Sequence, residues 1–371
     1  MVSHTIQRAE HAPEQVRMKQ DECVKTGAKI SLFVFGILLL GSLIFWKERM
    51  LFIDDAFIAF DLIRTKNFSI PLSRYGAGVS QLLPLLALKL HASVKTILIL
   101  YSLSFNLFFL AAAYILYRLR QFSLVVLLAL YFTIYVSDTF YWTNNENRQG
   151  ITWLFLDFGI LMYLYGKYSK QLKKFIPLSL LFFIPLTALS VYTHPLIMIV
   201  FIFMWGFFIL KKEPFFMSGI AVFYGLIGIA ICMIKYIAST KNGYDPGIMS
   251  KVTEAGFSRI LQTFKSPLAD DFWHTGLANY WWLWILFFMG CGSLLYEKKY
   301  LLLFYVLASC VGYFILICLA FPLMPVFIPS ANGCRCPYWE RLLLYILRYR
   351  ALKRNMLYAC YAVCLLQGFF I

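Results

Sequence analysis

Apolar runs of about 20 residues, enough helix to cross the hydrocarbon of a bilayer, recur along nearly the whole chain. They fall near 30–46, 94–117, 122–136, 151–166, 176–192, 196–210, 217–235, 278–295 and 301–322. A shorter segment, "SQLLPLLALKL", precedes the second run, and a last one covers about 355–371. In lipid a backbone must satisfy its own hydrogen bonds, which leaves helices or a closed barrel, and runs of this length are helical. The expectation is an all-α, polytopic transmembrane bundle of about 10–11 spans. Composition agrees, at 61% hydrophobic and 14% charged with mean hydropathy +0.71. A soluble domain holds about half apolar and a quarter charged residues, so that class is excluded.

The charge balance is 34 Lys and Arg against 18 acids. In a soluble chain that excess would suggest nucleic acid. Here the basic residues are spread among membrane-flanking turns, which fits contact with membrane lipids and no nucleic acid. The turns "RLRQ" (118–121), "GKYSKQLKK" (166–174), "KKEP" (211–214) and "YEKK" (296–299) hold ten Lys or Arg and two Glu. The alternate turns, 137–150 and "THP" at 193–195, hold one Arg, one Asp, one Glu and one His. The positive-inside rule puts the first set in the cytosol, together with the basic N-terminal tail. No small-x-small cleavage site follows the first run, so residues 1–28 read as a cytosolic tail before an uncleaved helix. Residues 29–371 then form one transmembrane domain, with a first outer loop at 47–93 and a second large one at 236–277. Cysteine usage adds little. Six of nine lie in or beside apolar runs, and Cys334 and Cys336 make a C-x-C without the second pair a zinc site needs.

On this topology eleven of the 18 acids fall on the outer side, and Asp157 is the one acid inside a span. The cost of a charge at mid-membrane explains exclusion from spans but not the choice of face. The rule that keeps basic residues inside leaves outer loops free for acids. An outward polar site is the alternative. Asp157, in "WLFLDFGIL", is either functional or bonded to a neighbouring helix.

The first outer loop opens on "IDDAFIAFDLIRT", which has helical character, with Asp54 and Asp61 one heptad apart and Phe57, Ile58, Phe60 and Ile63 suited to the membrane surface. Asp54 could cap the helix while Asp55 favours its dipole. Capping needs only one acid, however, and adjacent carboxylates push their pKa values apart, which suits a general base. Both readings stand. The second outer turn, "SDTFYWTNNENRQG", groups Asn144, Asn145, Glu146 and Arg148 behind Tyr141 and Trp142. Those groups could bind sugar hydroxyls or phosphate, or form a solvated turn with an aromatic belt. His194 sits in a very short turn, as a helix-end group or a site residue. "DDFWHTG" adds Asp270, Asp271 and His274, either as a donor or acceptor contact or as a solvated loop.

Together these features resemble the GT-C class of membrane glycosyltransferases, which includes the protein mannosyltransferases (family 39) and the bacterial aminoarabinose and arabinosyl transferases. The class follows its first helix with a large outer loop that opens on an acidic pair, matched by "IDDAFIAF". A turn and a Pro-containing apolar helix come next, matched by "RYGAGVSQLLPLLALKL". "NNENRQGITWLFL" is similar to the later segment with a Glu, and "THP" to a T-basic-P turn. The likeness covers residues 30–210. Beyond Pro325 the chain departs from it, and "YWERLLLYI" matches the late "RY-L-L-P" segment only without its Pro.

The resemblance implies transfer of a sugar from a polyprenyl-phosphate donor to a lipid, glycan or protein acceptor on the outer face, in a bacterial inner (plasma) membrane. Asp54 or Asp55 would be the base that deprotonates the acceptor hydroxyl. Arg74, Arg148 and Arg341 would stabilise the leaving lipid phosphate. Tyr75, Asn144, Asn145, Glu146, His194, Asp270, Asp271 and His274 complete the expected substrate contacts. Some members use a divalent cation, Mg or Mn, for which Asp54 and Asp55 would be the carboxylates. The competing functions are a transporter or flippase of a lipid-linked saccharide, which would use ionisable groups at mid-depth, and a non-catalytic assembly factor.

Overall fold

The computed structural model describes residues 14–50, 53–133, 140, 146–241 and 244–320. Asn144, Asn145, Arg341 and the expected run over 355–371 lie outside them. Among the described residues every regular element is helical. In chain order the helices are α1 (Glu14–Ile44), α2 (Trp46–Arg49), α3 (Ile53–Thr65), α4 (Leu82–Lys89), α5 (Val94–Arg118), α6 (Phe122–Thr133) and α7 (Glu146–Tyr168). There follow α8 (Leu172–Val191), α9 (Ile197–Leu210), α10 (Gly219–Lys241), α11 (Tyr244–Thr253), α12 (Phe257–Thr263), α13 (Pro267–Tyr296) and α14 (Tyr300–Ala320). Two 3₁₀ segments, Pro71–Ser73 and Tyr75–Gln81, link α3 to α4.

Five helices are long and apolar enough to cross a membrane: Glu22–Ile44 of α1, α5, α8, Gly219–Ser239 of α10, and α14. By length and composition this is a multi-pass helical membrane protein. The other expected spans are helices as well, but α6, α9 and Leu283–Tyr296 of α13 are shorter, and α7 carries Asp157 and a polar first turn. Exposed apolar stripes run at helical spacing along the surface. Phe33, Ile37, Leu40 and Ile44 form one on α1, and Val222, Leu226, Ile229, Met233 and Ile237 another on α10. Continuous apolar faces of this size suit lipid rather than water.

Helix connectivity makes the two ends of the bundle unlike. At one end the links are short: 119–121, 169–171, 211–218 and 297–299. Arg120, Lys212 and Lys298 there take positive φ of 56–61°, the left-handed conformation that ends a helix. Each following N–H closes back on the carbonyl five residues earlier: Gln121 to Leu116, Glu213 to Phe208 and Lys299 to Leu294, at 2.9–3.1 Å. The longer described connections, 45–50 with 53–93 and 244–266, lie at the other end, here called the open end.

The interior is tied by polar groups as well as by aromatic packing. Thr187 of α8 donates to Asp157 Oδ2 of α7 at 2.6 Å, and Ser190 donates to the Gly150 carbonyl at 2.6 Å. A β-carbon at Gly150 would lie 2.6 Å from Ile197, and one at Gly159 would lie 2.4 Å from Leu116, so small residues let these helices approach. Near the open end, Arg49 is fully buried and donates to Ser102 Oγ (2.8 Å) and Ser102 O (3.2 Å), with its guanidinium 4.7 Å over Phe140. Ser102 in turn donates to the Ser42 carbonyl at 2.8 Å. Arg49 therefore fastens the end of α1 and the short α2 onto α5. On α3, Ile58 and Ala59 pack against Tyr101 of α5, and Leu62 is buried against α4 and α5. Phe57 and Phe60 stay exposed on the opposite face. Ile58 thus departs from its expected place at the membrane surface, because α3 uses that face to dock on α5.

Candidate functional site at the open end

The site is built around Gly76. Its N–H reaches the Tyr192 carbonyl (3.4 Å) and its own carbonyl accepts from Trp153 Nε1 (3.1 Å). A β-carbon at this position would lie 1.9 Å from the Leu189 carbonyl oxygen and 2.1 Å from Thr193 Oγ1, so only glycine fits. The Tyr75–Gln81 segment therefore lies directly against the end of α8 and one face of α7. Gln81 anchors its other end: the Ser69 N–H donates to Gln81 Oε1 at 2.8 Å, and Gln81 Nε2 donates to Ser69 O at 2.7 Å.

This packing brings Arg74 to the first residue of α7, where its Nη1 pairs with Glu146 Oε2. Glu146 also suits the positive end of the α7 dipole. The Tyr75 ring lies 6.2 Å from Tyr192, and Lys235 Nζ sits 5.0 Å over that same Tyr192 ring. Lys235 belongs to α10 and is 1% exposed. His194 occupies the turn between α8 and α9, where the Leu196 N–H donates to its Nδ1 at 3.2 Å. Burial first, and then the positive charges of Arg74 and Lys235, push its imidazole down to about 3. Four elements thus bring together Arg74, Lys235 and the neutral ring of His194, with Glu146 paired to Arg74.

The other expected residues distribute differently. Asp55 lies in the described first turn of α3, fully buried on the face that carries Ile58, Ala59 and Leu62. Asp54 precedes it on the same helix. Arg148 shares the first turn of α7 with Glu146 but is buried toward α6, its guanidinium 5.9 Å from Tyr131 and 5.7 Å from Phe132. Asp61 is held below the usual carboxylate range by its 2.8 Å bond from Arg64, and then by Ser69. Asp270 and His274, both exposed, pair with each other at 3.5 Å on α13, on which Asp271 also stands. Among the described residues no three His, Cys, Asp or Glu converge as a metal ion would require.

Sequence reasoning did not single out Lys235, Tyr192, Gly76 or Arg49. Lys235 carries a legible signal, as a lone cation within "GIAICMIKYIAS", because an ionisable group in a membrane helix marks function by default. Gly76 and Tyr192 carry none, since their importance comes from a contact between segments more than a hundred residues apart in the chain. The chain matches no protein-family model, and no curated protein or solved structure matches it.

Proposed function

We propose that the protein is a membrane glycosyltransferase that moves a sugar from a polyprenyl-phosphate donor to a hydroxyl acceptor, with the open end facing outward. The observation that carries this reading is the gathering of Arg74 and Lys235 around one turn, at the same end of a membrane-sized bundle as the first turn of α3. A lipid-phosphate head group lies at that depth while its chain stays in the bilayer. Cations there would stabilise the charge that builds on the departing phosphate as the anomeric carbon–oxygen bond breaks. An Asp of the 54–55 pair takes the acceptor proton as the acceptor oxygen bonds the anomeric carbon, and the leaving group departs as polyprenyl phosphate.

The test is sugar incorporation from polyprenyl-phosphate donors in membranes. Asp55→Asn or Asp54→Asn should lose about 10²–10⁴-fold if it removes the base. Arg74→Met and Lys235→Met should each lose about 10²–10³-fold. If both Asp variants keep full turnover, the assignment of the base is wrong.

Transport of a lipid-linked saccharide is the second reading. It is favoured by the burial of Lys235 within a candidate span. Asp157 supports it less, because it already bonds Thr187 of the adjacent helix. Transport predicts that Lys235→Met abolishes movement of the lipid while wild-type membranes incorporate no sugar.

A further inference from the structure

His194 is held in a way that decides what its ring can do. A neutral imidazole has one donor and one acceptor nitrogen. The Leu196 N–H bond occupies the Nδ1 lone pair, so the ring proton sits on Nε2. Among the described residues Nε2 meets no hydrogen-bond partner, and the half-buried ring is not sealed off. Among the described residues the charged groups that act on it are Arg74, before the 3₁₀ segment, and Lys235 of α10, and Glu146 of α7 pairs with Arg74. Tyr75 and Tyr192 are the nearby phenols. Two cations beside one ring oppose a third positive charge. They also create a place where an acceptor oxygen carrying negative charge gains from all three groups at once.

We infer that His194 serves as a fixed neutral donor, giving its Nε2–H to a phosphoryl oxygen that Arg74 and Lys235 hold electrostatically, and that it is not a proton shuttle. The choice of a phosphoryl group rests on the lipid-phosphate reading above; the tautomer and the neutrality do not. His194 is then a positioning group that keeps its role across the pH range in which an ordinary histidine titrates.

The experiment uses the full chain in detergent with ¹⁵N-labelled histidine, and assigns the His194 signals by their loss in His194→Gln. The expected spectrum keeps the Nε2–H tautomer from pH 8 to pH 5. Protonation of His194 within that range, or an Nδ1–H tautomer, overturns the inference. Inorganic phosphate and a short-chain polyprenyl phosphate are then titrated separately. A shift of the His194 Nε2 signal by the lipid alone assigns a lipid-linked ligand, and a shift by both assigns the free anion as sufficient. No shift by either overturns the phosphoryl assignment. Gln places an amide N–H where Nε2 stood and Asn does not. His194→Gln should therefore bind whichever phosphate is active within about threefold of wild type, and His194→Asn at least tenfold more weakly. Equal losses in the two variants overturn the donor role. Failure to detect sugar transfer in the wild type would count against the glycosyltransferase reading and leave these spectra unchanged.

Discussion

Gly76 has almost no substitution it can accept. The atom in the way of a β-carbon is the Leu189 carbonyl, a backbone atom at 1.9 Å that cannot rotate aside. Gly76→Ala must part the 3₁₀ segment from the end of α8. The expected loss is about 1–3 kcal/mol of stability, as for overpacking elsewhere, with Arg74 drawn away from Glu146. Thermal denaturation in detergent measures the first effect. A drop in transfer or phosphate binding beyond that of a surface control measures the second. His194 gives a pH dependence of determinate sign. Its pKa falls from 6.5 in the unfolded chain to about 3 in the folded one. The stability linked to neutral His194 is present above pH 6.5 and is lost as pH falls through that value toward 3. His194→Gln should flatten the decline of unfolding temperature between pH 7 and pH 5. An unchanged slope would show that the imidazole is not held neutral.

At the scale of elements, the α7–α8 hairpin carries a polar tie inside an apolar bundle. Thr187→Val removes the donor to Asp157 and keeps the shape of the side chain. The expected cost is about 0.6–1.7 kcal/mol, the range for interhelical hydrogen bonds in membranes, read from thermal unfolding in detergent. Sugar transfer should be kept, because the tie stiffens the scaffold and touches no substrate. Such elements were legible in the sequence. Within the described residues each of the nine long apolar runs falls on a helix, because hydrophobic length is a local property. α3 was legible too, from "DDAFIAFDLIRT". Which face of α3 is buried was not, because that depends on Tyr101 about forty residues away. The same limit applies to the site. Arg74, Glu146 and His194 stood out one by one as polar residues in the right turns. Lys235 was lost within the hydrophobicity of its run, and Asp270 and His274 stood out equally yet pair with each other on α13.

For the whole molecule the prediction is one of sidedness. Lys66 is exposed at the open end and Lys170 at the other. If the basic turns are cytosolic, Lys66→Cys should react in intact cells with a thiol reagent that cannot cross the membrane. Lys170→Cys should react only after lysis. The reverse pattern would put the candidate site in the cytosol and remove the argument for an outward-facing donor.

The unequal ends also have a mechanical consequence. A three-residue link spans only about 10–14 Å when fully stretched. The helix pairs joined by 119–121, 169–171 and 297–299 therefore stay pinned together at their tied ends. The remaining link, 211–218, is wedged in place by Phe215 and Phe216, which are buried among Phe158, Phe175, Trp205 and Tyr224. Among the described residues the longer connections, through α2–α4 and through α11–α12, lie at the open end. If the bundle yields to admit a large amphiphile, it yields like a clothes peg, with the spring at the tied end and the jaws around Arg74 and Lys235.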